Sequence, residues 1–292
     1  MGTSVAACSR MPRVARRKAG GGRRETSAAL CRLSPVACRL VMQAATLGPI
    51  AVAYLGFTLV VRGARGFSGD EPHYLAFTQG LWLYHTVDQH RVLYHHDFFA
   101  YFPRLMTSHA VHRGGHLYAL HYPGLPLVLL PGFALGGASG TQVTTALLAI
   151  LVCWRALQVA ARVAGPIAAA LAVAVLGLSA PFVLNAGAIY PDLLSGLLLV
   201  LGYEALDAPR LTMRRALALG LVLAVCPWVH VKLLAVVAVY MAWAASLLWR
   251  AAQEGSGSGN SQRGPRAVAG PAPGATVCRL PTPRTRPRRP AT

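Results

Sequence analysis

The stretch "YPGLPLVLLPGFALGG", residues 122–137, decides how this chain is threaded. It is apolar throughout, but it is short and carries three prolines, whereas a helix crossing a bilayer core needs about 20 residues. Read as a span, it sends "DAPRLTMRR" (207–215), with Arg210, Arg214 and Arg215, to the outer side of a membrane. Read as a re-entrant or surface helix, it leaves Arg162, that cluster and the tail from Arg250 together on the cytoplasmic side, as the positive-inside rule requires. The second reading is adopted.

Outward from that stretch, the first span is "AATLGPIAVAYLGFTLVV" (44–61). It follows a basic N-terminus and lacks a small-residue cleavage site, so it reads as a retained anchor. Further spans are expected at 141–162, 166–187, 191–206 and 215–249, the last crossing twice with a break near "CPWVHVK". The expected fold is therefore all-α and polytopic, with about six transmembrane helices over 44–250 and both termini cytoplasmic. Segments 62–140, 188–190 and about 227–231 face outward. Residues 1–43 and 251–292 are basic tails without hydrophobic period, expected to be disordered. The abrupt change of composition from Gln253 reads as the truncated or frame-shifted end of a longer protein.

Composition agrees. Hydrophobic residues make up 54% of the chain and charged residues 13%, about half the charged share of a soluble domain. The net charge of +19 suggests nucleic acid until its distribution is seen: nine basic residues lie in the first 40 positions and eight from Arg250 onward. Such flanks fix topology and touch anionic lipid head groups, so membrane lipids and not nucleic acid are the expected partner. Cys8, Cys31, Cys38, Cys153, Cys226 and Cys278 all avoid the loop 62–122, and their spacing fits neither a disulfide framework nor a zinc site.

The loop 62–122 is where chemistry concentrates. It holds Asp70, Glu71, Asp88 and Asp97, four of only nine acidic residues, and nine of the ten histidines. In "EPHYLAFTQGLWLYH" the apolar side chains Tyr74, Phe77, Leu81 and Tyr84 recur at helical spacing, which predicts a helix lying along the membrane surface. The histidines His73, His85, His90, His95, His96, His109, His112, His116 and His121 read as a loose interfacial cluster rather than a metal centre. Trp82, Tyr84, Tyr94 and Tyr101 read as interface anchors, and the Gly-rich "GFALGGASG" (132–140) as a turn.

Asp70 and Glu71 stand at the outer mouth of the first span, and Asp192 begins the fourth span on the same side. Ionisable groups at the hydrocarbon boundary are costly unless paired, hydrated or functional. One carboxylate there can act as general base toward an acceptor hydroxyl, and a second can help hold a divalent cation against a phosphate leaving group. Arg65, Arg91, Arg104 and Lys232 are cations able to bind the same phosphate. The arrangement suits transfer from a lipid phosphate whose tail lies in the bilayer. A carrier would instead line a path with mid-span polar groups. Here Arg155 and Glu204 are the span charges, both near inner ends.

Four motifs, in order, resemble the GT-C class of membrane glycosyltransferases, which includes the protein O-mannosyltransferases and the aminoarabinose transferases. "SGDEPHYL" (68–75) is similar to the acidic motif of the first outer loop. "HYPGLPLVLLPGFALGG" (121–137) resembles the Pro-containing segment that follows it, "APFVLNAGAIYPDLLSGLLLVL" (180–201) the outer-mouth segment with Tyr-Pro before an acid, and "CPWVHVKLL" (226–234) a later Pro-Trp-x-His-x-Lys stretch. The resemblance covers about residues 44–249. It implies an inverting transfer of a sugar from a polyprenyl-phosphate donor to a glycan, lipid or protein acceptor, outside a bacterial cell membrane, with Mg²⁺ or Mn²⁺ as possible cofactor. It makes Asp70 the catalytic base with Glu71 its companion, and Asp70 and Asp192 the metal ligands. Asp192, His230 and Lys232 support the donor phosphate, while His73, Tyr74, His121, Tyr122 and Tyr190 are candidate substrate-binding residues. Two departures stand out: Asp192 occupies a position where the class more often has Glu, and the class has more spans and often a C-terminal outer domain. An inactive truncated fragment and a non-enzymatic lipid-linked carrier are the alternative readings.

Overall fold

The structure is a computed structural model that describes residues 35–62, 66–208 and 210–258. Most of both predicted tails, and Arg65, lie outside the described residues. Two compact units divide at Leu247–Leu248. The second is described only as the end of the last helix, and the packing and the site below concern the first.

Helix α1, Pro35–Gly56, runs directly into a π-helical turn, Phe57–Arg62. It begins well before the span expected from residue 44. Helix α2, Glu71–Tyr84, follows, then short α3, His90–Tyr94, and a 3₁₀ turn, Asp97–Ala100. Strands β1, Ala110–Arg113, and β2, His116–Ala119, pair antiparallel. Then come α4, Gly124–Ala164; α5, Pro166–Gly177; α6, Ala180–Asn185; α7, Asp192–Leu206; α8, Met213–Val229; and α9, Leu233–Ser258. Among the described residues, three helical stretches are long and apolar enough to cross a membrane: Val36–Arg62, Gly124–Ala164 and Leu233–Glu254.

The 41 residues of α4 do not form one rod. Gly136 and Gly137 leave the helical region, Gly137 with φ +56°, a conformation that glycine adopts without the cost a Cβ brings. The halves then fold back on each other. A Cβ on Gly132 would lie 2.6 Å from the carbonyl oxygen of Gly140, eight residues away and about 12 Å distant along a straight helix. The turn expected in 132–140 is thus present, and it ends the first half of α4 at Leu135.

Other elements depart from expectation. The predicted segment 166–187 breaks after Gly177, because Pro181 has no N–H to offer and its ring would strike the carbonyl four residues back, that of Gly177. Helix α2 is not a surface helix over its first ten residues: Tyr74, Leu75, Ala76, Phe77, Thr78 and Gly80 are buried, as the half-helix 124–135 covers it through Leu125 and Leu129. Trp82 and Tyr94 are exposed, whereas Tyr84 and Tyr101 donate hydroxyl hydrogen bonds to Asp97 (2.7 Å) and Gln79 (3.0 Å) and so pin the loop internally. The small sheet was not anticipated by the all-α reading, although the described residues are otherwise nearly all-α.

Among the described residues, three apolar clusters hold the helices. Ile50 and Tyr54 of α1 meet Ala146, Ala149 and Cys153 of α4 and Ala169 and Val173 of α5. Tyr74 and Leu75 of α2 join Leu125, Leu129, Leu194, Leu198 and Cys226 directly under the loop segments. Leu206, Leu219 and Tyr240 tie α7, α8 and α9, with the Tyr240 hydroxyl on the Leu199 carbonyl at 2.6 Å. At one end of the helices Glu204 accepts from Arg155 (Nε at 2.9 Å) and Arg162, which also meets Asp207 at 3.5 Å. Asp70, Asp192 and His230 lie at the other end, since α7 starts at Asp192 and carries Glu204 in its last turn.

Candidate functional site

The site is built around a buried carboxylate. Glu71, in the first turn of α2, is fully buried. It forms an ion pair with Arg62 at the end of the π turn, and it accepts backbone N–H groups from Ser68 at 3.1 Å and Ile189 at 3.0 Å. A buried carboxylate persists only when paired and hydrogen-bonded, and here those partners come from the π turn after α1, the loop before α2 and the α6–α7 connection. Tyr190 adds a second tie, donating its hydroxyl to the Ser68 carbonyl at 3.3 Å. Gly69 makes room for it: its φ is +59°, and a Cβ there would sit 2.5 Å from the Tyr190 hydroxyl.

That clasp brings together the residues on either side of it. Asp70 precedes α2, and its carboxylate makes no capping hydrogen bond, while its carbonyl accepts from the N–H groups of His73 and Tyr74. Asp192 starts α7, three residues after Ile189, where the helix dipole favours an anion. Both line one hollow of about 310 Å³, together with Tyr74, Tyr190, Ser195, His230 and Lys232. The Tyr74 hydroxyl is pushed up to about 12 by burial first and then by the charges of Asp70 and Asp192.

His230 and Lys232 sit in the break between α8 and α9, where the second crossing was expected to turn. The Lys232 N–H donates to His230 Nδ1 at 3.1 Å, which leaves the proton of a neutral ring on Nε2. Lys232 is exposed. Tyr122 packs on His230, ring centroids 5.9 Å apart. An apolar groove of about 370 Å³ shares Tyr190 and Asp192 with the hollow and runs over Val152, Pro181, Phe182 and Leu193.

His73 and His121 lie beside the hollow rather than in its lining. His73 stacks on His109 at 4.0 Å, and His121 packs 4.4 Å from the Tyr74 ring. His109 Nδ1 is 3.6 Å from Asp70 Oδ1. Burial, then the neighbouring imidazoles, lower His73 to about 4, and burial lowers His121 as well. His109 was not singled out in the sequence. Its partner across the hairpin, Leu120, donates to the His109 carbonyl at 2.9 Å, so register alone carries it to this place.

Of the other cations expected near a phosphate, Arg91 lies over the Tyr84 ring, its guanidinium carbon 5.7 Å from the centroid. Neither Arg91 nor Arg104 lines the hollow. Arg62, which the sequence reading passed over, is the cation that answers Glu71. Glu71 itself does not line the hollow, so the companion role expected of it beside Asp70 has no access to a ligand there. Oxygen donors of Asp70, Asp192 and Ser195 around one hollow suit a hard divalent cation such as Mg²⁺ or Mn²⁺.

Compared with protein-family models, with curated proteins and with solved structures, the chain matches none.

Proposed function

We propose that this chain is a multi-pass membrane glycosyltransferase that moves a sugar from a polyprenyl-phosphate donor to an acceptor hydroxyl at the extracytoplasmic face. The observation that carries the reading is the shared hollow, in which Asp70 and Asp192 stand with His230 and Lys232. An apolar groove opening beside the same Asp192 and Tyr190 adds support, because it suits an amphiphilic donor with a lipid tail. The six-span arrangement, with the half-helix 124–135 re-entrant and both termini cytoplasmic, is supported by the arginines gathered around Glu204 and Asp207 at the opposite helix ends.

In this proposal Asp70 accepts the proton of the acceptor hydroxyl as its oxygen attacks the anomeric carbon. The bond from that carbon to the phosphate oxygen breaks on the opposite face, which inverts the configuration. Lys232 and the Nε2–H of His230 hold the departing phosphate, and charge-assisted hydrogen bonds of that kind strengthen as charge develops. A bound Mg²⁺ or Mn²⁺, held by Asp192, would neutralise part of the phosphate charge. Tyr74, Tyr122 and Tyr190 shape the walls. Glu71 acts as a positioning residue that keeps Asp70 and Asp192 on one hollow.

The test is transfer of a labelled sugar from a polyprenyl phosphate by the full chain in lipid nanodiscs. Transfer that falls at least about 100-fold in Asp70→Asn, the lower range for loss of a general base, supports the proposal. Undiminished transfer in that variant, or none in the unaltered chain with any polyprenyl-phosphate sugar, contradicts it.

A further inference from the structure

We propose that His73, His109 and His121 form a three-imidazole site for a late first-row transition metal, for which Zn²⁺ is the probe. One ligand atom from each residue lies within 4.8 Å of the others. An ion about 2.0–2.1 Å from each nitrogen separates tetrahedral ligands by about 3.3 Å, so side-chain rotations of about 1.5 Å at most close the set.

The three come from separately anchored segments, which is what pre-forms a site. His73 sits in the first turn of α2, directly after the Glu71 clasp. His109 and His121 leave the two ends of the hairpin, joined one step beyond its ladder by the Leu120 N–H on the His109 carbonyl. Asp88 fastens that hairpin from outside, accepting the Leu117 N–H at 2.9 Å and pairing with His116 at 2.8 Å. The imidazoles are therefore held by backbone that does not depend on a metal.

Two further observations point to a ligand rather than to ring stacking alone. His121 Nε2 is buried and has no hydrogen-bond partner among the described residues, a costly condition for a nitrogen that a metal would relieve. Asp70 Oδ1 lies 3.6 Å from His109 Nδ1, beyond hydrogen-bond distance but near enough for its charge to favour a cation among the imidazoles. His109 is exposed and gives the ion a way in. A nitrogen donor set selects Zn²⁺, Cu²⁺ or Ni²⁺ over Mg²⁺ and Mn²⁺, so this site differs in kind from the oxygen-lined hollow beside it. It does not rest on the transferase reading.

The experiment uses the full chain in detergent, stripped with a chelator, and measures bound metal by equilibrium dialysis and elemental analysis, with no activity involved. One equivalent of Zn²⁺ is expected, not displaced by excess Mg²⁺. Affinity should fall at least 10-fold in His109→Gln and be lost in the His73→Gln/His109→Gln/His121→Gln triple variant, while His90→Gln and His112→Gln bind like the parent. Co²⁺ loaded into the unaltered chain should give the visible bands of a nitrogen-rich four- or five-coordinate ion, a readout independent of how the variants fold. Absence of Zn²⁺ binding, equal binding by the triple variant, or a featureless octahedral Co²⁺ spectrum would overturn the site.

Discussion

The carboxylate of Glu71 accepts the backbone N–H of Ile189 at 3.0 Å, across 118 residues of sequence. Each of these residues has a cavity acid close by, Asp70 immediately before Glu71 and Asp192 three positions after Ile189. The hollow is thus organised by a group that does not enter it. Removing one partner of a buried ion pair costs about 3–5 kcal/mol. Glu71→Ala is therefore expected to lower the thermal midpoint in detergent markedly. Asp70→Asn, at a half-exposed side chain, should leave it nearly unchanged.

Gly69 offers a smaller perturbation of the same place. Alanine there must adopt φ +59° and meet the Tyr190 hydroxyl, a strain of about 1–3 kcal/mol. Gly69→Ala should weaken the 66–70 loop, seen as faster hydrogen exchange at 68–71. The same substitution in a Tyr190→Phe background should cost less, because the hydroxyl it strikes is gone.

The hairpin carries a pH signature through Asp88. Burial on its own would raise this carboxyl, but hydrogen bonds from His116 and from the N–H groups of His90 and Leu117 outweigh it and hold it at about 2. A carboxylate depressed in the folded state contributes fully above its ordinary range, and that contribution is lost as pH falls through the folded value. Exchange protection at 116–119 should therefore persist at pH 4 and decline toward pH 2. In Asp88→Ala it should be low at every pH.

Lys232 is predicted to act on donor binding. Lys232→Met keeps the aliphatic stem and removes the charge, so KM for the polyprenyl-phosphate sugar should rise several-fold, with a weaker dependence on salt. An unchanged KM would remove Lys232 from the phosphate site.

Much of this was legible in the sequence, and the exceptions have local causes. The helical spacing of 71–84 predicted α2, the glycines of 132–140 the reversal, and "CPWVHVK" the break at 230–232. The hairpin was missed although "VHRGGHLY" signals it: Gly114 and Gly115, at φ +60° and +81°, are the two-residue turn that short antiparallel strands favour. Burial of α2 was not legible, because the side chains that cover it come from the half-helix 124–135. Nor was the histidine triad, whose members lie 36 and 12 positions apart and meet through hairpin register. Glu71 looked like the twin of Asp70 in sequence. Adjacent residues of a helix start point in different directions, and one turned inward to Arg62.

The central claim is that Asp70 and Asp192 face a common hollow. It is tested most directly by cross-linking an Asp70→Cys/Asp192→Cys pair, in a chain cleared of its native cysteines, with a short bifunctional thiol reagent. Asp70→Cys/Glu204→Cys serves as the control, since Glu204 lies 12 residues, about 18 Å, further along α7. Rapid cross-linking of the first pair and none of the second is predicted. Failure of the first pair with both thiols freely labelled, or equal cross-linking of both, would contradict the account.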